Sequence, residues 1–178
     1  MNRDRRGGRW AALLVGLALT LGLAAACDDD DDDDDDGGSD HTATGEVVAM
    51  AGDIEIIEPY ARETVNEVAA VYMSLQSVGL EDTLVSVRAS IGSLWEIHET
   101  IEEGGSGRMQ QVEGGLLIPS GDHVHLQPGG YHVMIMGLAQ PLEPGDEFEF
   151  ELTFASGETA SITVPVKALG DESGAQHE

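Results

Sequence analysis

The chain has 178 residues, enough for one domain with a real hydrophobic core, and it is rich in glycine (23) but carries only three Phe, two Trp and three Tyr, as in a turn-rich β protein. Its formal charge of −26 excludes nucleic acid and anionic lipid surfaces as partners; from Cys27 onward, 4 basic residues stand against 33 acidic ones, a net of −29. Cys27 is the only cysteine, so no disulfide can form within the chain.

Residues 1–26 read as an export signal: a basic start (Arg3, Arg5, Arg6, Arg9), then an apolar run from Trp10 to Ala26, short for a membrane span of about 20 residues. Leu23-Ala24-Ala25-Ala26-Cys27 resembles a bacterial lipobox, which predicts that Cys27 is acylated and becomes the new N-terminus. Ordinary cleavage after Ala26, leaving a free thiol, is the alternative. Residues 27–46 include nine consecutive aspartates, Asp28 to Asp36, followed by Gly37-Gly38-Ser39. Like charges at that density repel, so the segment is expected to be an extended, disordered tether holding the domain off a membrane.

The folded domain is expected over residues 47–169, with a disordered tail over 170–178. Ile54 to Arg62 starts a strand predicted to end near Pro59. Ala69 to Gln76 alternates, with Val71, Met73 and Leu75 on one face, and Leu84 to Ala89 alternates again. In Leu94 to Ile101, Trp95, Ile97 and Ile101 share one face while Glu96, His98 and Thr100 share the other. The turn Glu103-Gly104-Gly105-Ser106-Gly107 reverses the chain into Arg108 to Val112. A hairpin symmetric about that loop sets His98 opposite Met109, with β-carbons about 5 Å apart.

In Tyr131 to Met136, His132, Met134 and Met136 share a face, and Tyr131, Val133 and Ile135 share the other. Phe148, Phe150, Leu152 and Phe154 alternate with Glu147, Glu149, Glu151 and Thr153, a half-buried strand with an acidic face. Ser156-Gly157-Glu158 turns it toward Ile162 to Val166, where Pro165 argues for an edge or a strand end. Roughly seven short strands with turns between them predict an all-β fold, an antiparallel β-sandwich.

His98, Met109, His132 and Met134 are the candidate metal ligands. Imidazole suits several metals, whereas thioether is soft and selects Cu(I) over Zn, Mg or Ca. Taken one at a time, each side chain has a plainer reading as a surface histidine or a packed methionine. Together, His98, His132 and Met134 all avoid the face that carries Trp95 or Tyr131 and Val133. Met136 is read as packing or as a neighbour of the ligands. His123-Val124-His125 places two imidazoles on one face of a strand, which suggests an accessory Cu(II) or Zn site with Asp122; the simpler reading is an exposed polar loop. A cupin enzyme does not fit, because position 117 is leucine and Leu126 to Gly130 holds no acid.

His98-Glu99-Thr100, Met109, Gly114 to Pro119 and Leu126 to Leu138 together resemble the periplasmic copper chaperones called PCu(A)C. That family carries His-x10-Met-x21-His-x-Met; this chain has His98-x10-Met109-x22-His132-x-Met134, and the extra residue falls in Gly114-Gly115-Leu116-Leu117. The resemblance spans roughly Ile54 to Lys167. It implies a cupredoxin-like sandwich that binds Cu(I) through His98, Met109, His132 and Met134. It also implies delivery to a copper-accepting protein, such as cytochrome c oxidase or its assembly factors, from an extracytoplasmic position, where the lipobox-like run before Cys27 predicts a membrane anchor. No Ser-His-Asp, Cys-His, phosphate-loop or paired-carboxylate constellation is present, so no enzyme is expected. A blue-copper carrier would need a cysteine in the domain, which is absent. The competing class is a non-metal extracytoplasmic β-sandwich serving adhesion or structure.

Overall fold

The computed structural model describes residues 43–103 and 106–170. The export segment, Cys27, the aspartate run and the tail from Asp171 lie outside the described residues, as do Gly104 and Gly105. Among the described residues eleven strands form, and no helix is long and apolar enough to cross a membrane. They are β1 (Val47–Ala51), β2 (Ile54–Arg62), β3 (Val68–Ser77), β4 (Asp82–Ala89), β5 (Leu94–Glu103) and β6 (Ser106–Gln111). After them come β7 (Leu116–Ile118), β8 (His123–Leu126), β9 (Tyr131–Met136), β10 (Glu147–Phe154) and β11 (Thr159–Lys167).

The hydrogen-bonded order is β6-β5-β9-β8-β3-β2-β11-β10-β4-β7, with β1 on β2 and a further pairing of β9 with β3. The sheet curls at β11, which pairs with β10 along its length but joins β2 in parallel only at Val166 and Lys167. The all-β expectation therefore holds, with eleven strands where about seven were legible.

Strand β10 shows why the two layers close. Phe148, Phe150, Leu152 and Phe154 are buried while Glu147, Glu149 and Glu151 are exposed, so period-2 alternation drives one face inward. Ala160, Ile162, Val164 and Val166 of β11 and Val71, Met73 and Leu75 of β3 enter the same core. Phe150 is 1% exposed and sits between Ile162 and Ala89 on the neighbouring strands. Phe150→Ala is expected to destabilise the fold by about 3–5 kcal/mol, through lost burial and an unfilled cavity. Chemical denaturation would read this as a shifted midpoint.

Strands β2 and β4 depart from simple alternation. β2 does not stop at Pro59: it bulges there, with Glu58 at φ 45° and a register shift between Ile57 and Tyr60, then continues to Arg62. The bulge accommodates a residue with no N–H to give the ladder. In β4, Val85 is the extra residue where the pairing slips from Phe154–Leu84 to Thr153–Ser86. It is 45% exposed, while Leu84 and Val87 both point inward. His123 to Leu126 is strand β8 rather than a loop, because Val124 and Leu126 pack on the core beside Leu75 and Met73. Pro165 lies within β11, just before the point where β2 becomes its second neighbour, so that flank is locally an edge.

Strand β3 organises the functional layer. Its first half pairs with β9 (Val68 with Met136, Ala70 with Met134) and its second half with β8 (Ser74 with His125, Gln76 with His123). β8 and β9 thus lie end to end along one flank of β3, and their polar residues share its outer face. Strand β5 covers the far side of β9, and β6 forms the edge. The β5–β9 register is fixed where two turns nest: Ser93 N–H donates to Met136 O at 2.9 Å. A Cβ on Gly92 or on Gly137, both at positive φ, would strike Ile135 or Ser93 respectively.

Candidate metal centre

His98 and His132 are direct cross-strand partners, and their rings lie 5.9 Å apart, centroid to centroid. On the same face Met134 faces Glu96 across the strands, with the small Ala70 on its other side. Met109 lies opposite Thr100, not opposite His98, which pairs with Gln111. This corrects the expected pairing. The hairpin closes at Glu103 and Ser106 around Gly104-Gly105, so its centre is one residue later than symmetry about the Glu103–Gly104 bond assumed. A two-residue offset keeps Met109 on the His98 face, displaced diagonally by a distance a long side chain can span. Met109 is 57% exposed at the rim, whereas Met134 is half-buried. Met136 continues the row beside Leu94 and Val68.

Each imidazole is held by one nitrogen. His132 Nδ1 lies 3.1 Å from Gly130 O, and a carbonyl can only accept, so Nδ1 carries the proton and Nε2 the lone pair. His98 Nε2 lies 2.8 Å from Glu96 Oε2, which by the same reasoning leaves the lone pair on Nδ1. Those two lone-pair atoms, His98 Nδ1 and His132 Nε2, are buried and have no hydrogen-bond partner among the described residues. An unpaired buried polar atom costs about 1–3 kcal/mol, a cost that a bound ion would remove. Histidines that ligate metals characteristically donate their second N–H to a carboxylate or a carbonyl, and both do so here.

The spacing suits a shared ion. An imidazole nitrogen ligates a first-row metal at about 2 Å, which puts each ring centroid about 3 Å from the ion. Rings 5.9 Å apart can then bind from nearly opposite sides. His132 is 3% exposed, and burial lowers its pKa against the opposing pull of the Gly130 carbonyl, with His98 adding a smaller lowering effect. Tyr72 stands 6.4 Å from the His132 ring and packs on Tyr60. Burial raises its phenol pKa, so it offers no anionic ligand near neutral pH.

A depression of about 230 Å3 opens here, lined by Tyr72, Thr100, Met109, His132 and Met134 among others. A larger groove of about 500 Å3 over Trp95, Gln111 and Gly115 contains no His or Met and does not gather donors. No group of three or more His, Cys, Asp or Glu side chains among the described residues is placed to hold a metal. Two imidazoles with two thioethers, without thiolate, form a soft set. Glu96 was visible in the sequence two residues before His98 on the same face, yet only the structure shows that it orients the ring. Tyr72 and Gly130 carry no local signal: pairing of β3 with β9 and the turn before β9 bring them in.

The curled all-β architecture is that of PCuAC domains. The apo PCuAC domain from PmoF1 superposes with a TM-score of 0.56 at 22% identity, covering 67% of this chain and 98% of that one. The copper-bound PCuAC domain from PmoF2 gives 0.57 at 22% identity, covering 67% and 97%. By sequence, residues 54–166 match the family described as "Putative lipoprotein LpqE-like", and the chain belongs to it. A relative from Leifsonia xyli subsp. xyli, named "Putative lipoprotein Lxx21020", is 33% identical over 118 residues, which is 66% of this chain and 71% of that protein.

Proposed function

We propose that this protein is an extracytoplasmic copper chaperone that holds one Cu(I) between His98, Met109, His132 and Met134 and passes it to a copper-accepting protein. The observation that supports this reading is the pair of buried, unpartnered nitrogens, His98 Nδ1 and His132 Nε2, with thioethers beside them on one face. A non-metal adhesion module gives no reason to keep two such atoms without partners. The soft donor set favours Cu(I), and exposed Met109 gives an incoming ligand a way to reach the ion. A thiolate is a stronger soft donor than either imidazole or thioether, so a thiolate-bearing acceptor can draw the ion out without a redox step.

The role is that of a carrier and not an enzyme. Cytochrome c oxidase or its assembly factors are the recipients that the resemblance implies. Acylation of Cys27 would keep the domain at a membrane, a placement supported by the lipoprotein name of the Leifsonia relative. Titration of the mature chain against a Cu(I) chelator under anaerobic, reducing conditions should show one Cu(I) per chain. No competition with the chelator would overturn the reading.

A further inference from the structure

Along the outer face of β3, the row Ala70, Tyr72, Ser74, Gln76 is paired in turn with Met134 of β9 and then with His125 and His123 of β8. His125 therefore stands on the same face as the first centre. Its partner Ser74 is two residues along β3 from Tyr72, about 7 Å away at the rise of a strand. The His123 and His125 rings are 4.4 Å apart, centroid to centroid, and inclined at 60°. His125 Nδ1 is 2.6 Å from Ser74 Oγ. His123 N–H donates to Asp122 Oδ1 at 2.8 Å, and its ring Nδ1 lies 3.7 Å from that oxygen.

We infer that His123 and His125 form a second metal site, a two-imidazole chelate for Cu(II). Rings whose centroids lie about 3 Å from a shared ion and 4.4 Å from each other subtend nearly a right angle at it. That is the adjacent-ligand angle of a tetragonal ion, and tetragonal nitrogen and oxygen ligation is the preference of Cu(II). The first centre, with rings 5.9 Å apart and soft thioethers alongside, has neither the angle nor a donor set free of sulfur. In the ligating tautomer, His125 Nδ1–H donates to Ser74 and the lone pair is on Nε2, the same second-partner arrangement that holds His98 and His132. Among the described residues no third His, Cys, Asp or Glu joins the pair in a metal-holding group. The side chains of both residues reach the surface, His125 more than His123. The site does not depend on what fills the first centre.

The test adds Cu(II) to the mature chain and reads both its affinity, against glycine as competitor, and its electron paramagnetic resonance spectrum. The expected result is a tetragonal spectrum with two imidazole nitrogens coupled to the copper. His123→Ala and His125→Ala should each weaken Cu(II) at least 10-fold and remove one nitrogen coupling. Ser74→Ala should also weaken it, by about 10-fold, the low end of what losing an orienting partner costs. The Cu(I) titration of all three variants should match wild type, which also shows that they are folded. Retention of the spectrum and the affinity in the His123→Ala, His125→Ala double variant would overturn the inference, because the ion would then sit elsewhere, on the aspartate run or the His98–His132 pair. So would a parallel loss of Cu(I), which would make the pair part of the first centre.

Discussion

His132→Ala is expected to lower Cu(I) affinity by at least 100-fold while costing the apo fold little. The two effects separate because of how the residue is buried. His132 is 3% exposed and its Nε2 has no partner, so apo protein already carries an unsatisfied polar atom there. Removing the ring relieves that cost, about 1–3 kcal/mol, and largely offsets the packing it gives up against Tyr72. The metal has no such compensation. Without Nε2 the remaining donors are one imidazole and two thioethers, and the opposed pair of rings is gone. The decisive measurement is thermal unfolding with and without copper. An ion present at 100 times its dissociation constant stabilises the native state by about 2.7 kcal/mol, and this gain should disappear in the variant. Glu96→Gln tests the neighbouring restraint. It keeps an acceptor for His98 Nε2–H but removes the charge, so a loss of about 10-fold is expected with the site otherwise intact. If His132→Ala kept the copper-dependent shift, the ion would not lie between the two rings.

The fold was legible wherever one face of a strand is buried and the other is wet. Strands β5, β9 and β10 declared their faces through alternation alone, and with them the shared side of His98, His132 and Met134. What the pattern could not carry was register. His98 and Met109 have the same parity under either hairpin pairing, so alternation cannot tell a partner at 109 from one at 111. The choice rests on the loop closing at Glu103 and Ser106. Bulges were equally silent. Val85 looks inward-facing on a strict period of two, and only its unpaired position opposite β10 turns it outward. Pro59 read as a stop because a proline cannot donate to a ladder, yet a bulge at Glu58 lets the strand continue. The largest blind spot was contact between distant segments. Tyr72 precedes His132 by 60 residues and stands beside it only because β3 divides its flank between β9 and β8.

The two methionines should not be equivalent, and the difference follows from where each one sits. Met134 is half-buried between Ala70 and Glu96, two residues from His132 on the same strand, so its sulfur is held near the ring pair by its neighbours. Met109 is on the edge strand, 57% exposed, opposite Thr100 and one diagonal step from His98. Ligation by Met109 therefore has to fix an exposed side chain, at an entropic cost of up to about 2 kcal/mol for methionine. Leucine replaces either residue with little change in volume and removes only the sulfur, so the fold should survive both substitutions within about 1.5 kcal/mol. Met134→Leu is expected to weaken Cu(I) about 100-fold, and Met109→Leu about 10-fold. The second change should also alter transfer. With Met109 gone, an incoming thiolate meets a more open ion, and Cu(I) should pass to a thiolate-bearing acceptor faster than from wild type. Competition titration gives the first pair of values and stopped-flow transfer gives the rate. Equal losses from the two substitutions would show that Met109 is drawn fully into the site when copper binds. A Met134→Leu variant with wild-type affinity would remove that thioether from the ligand set.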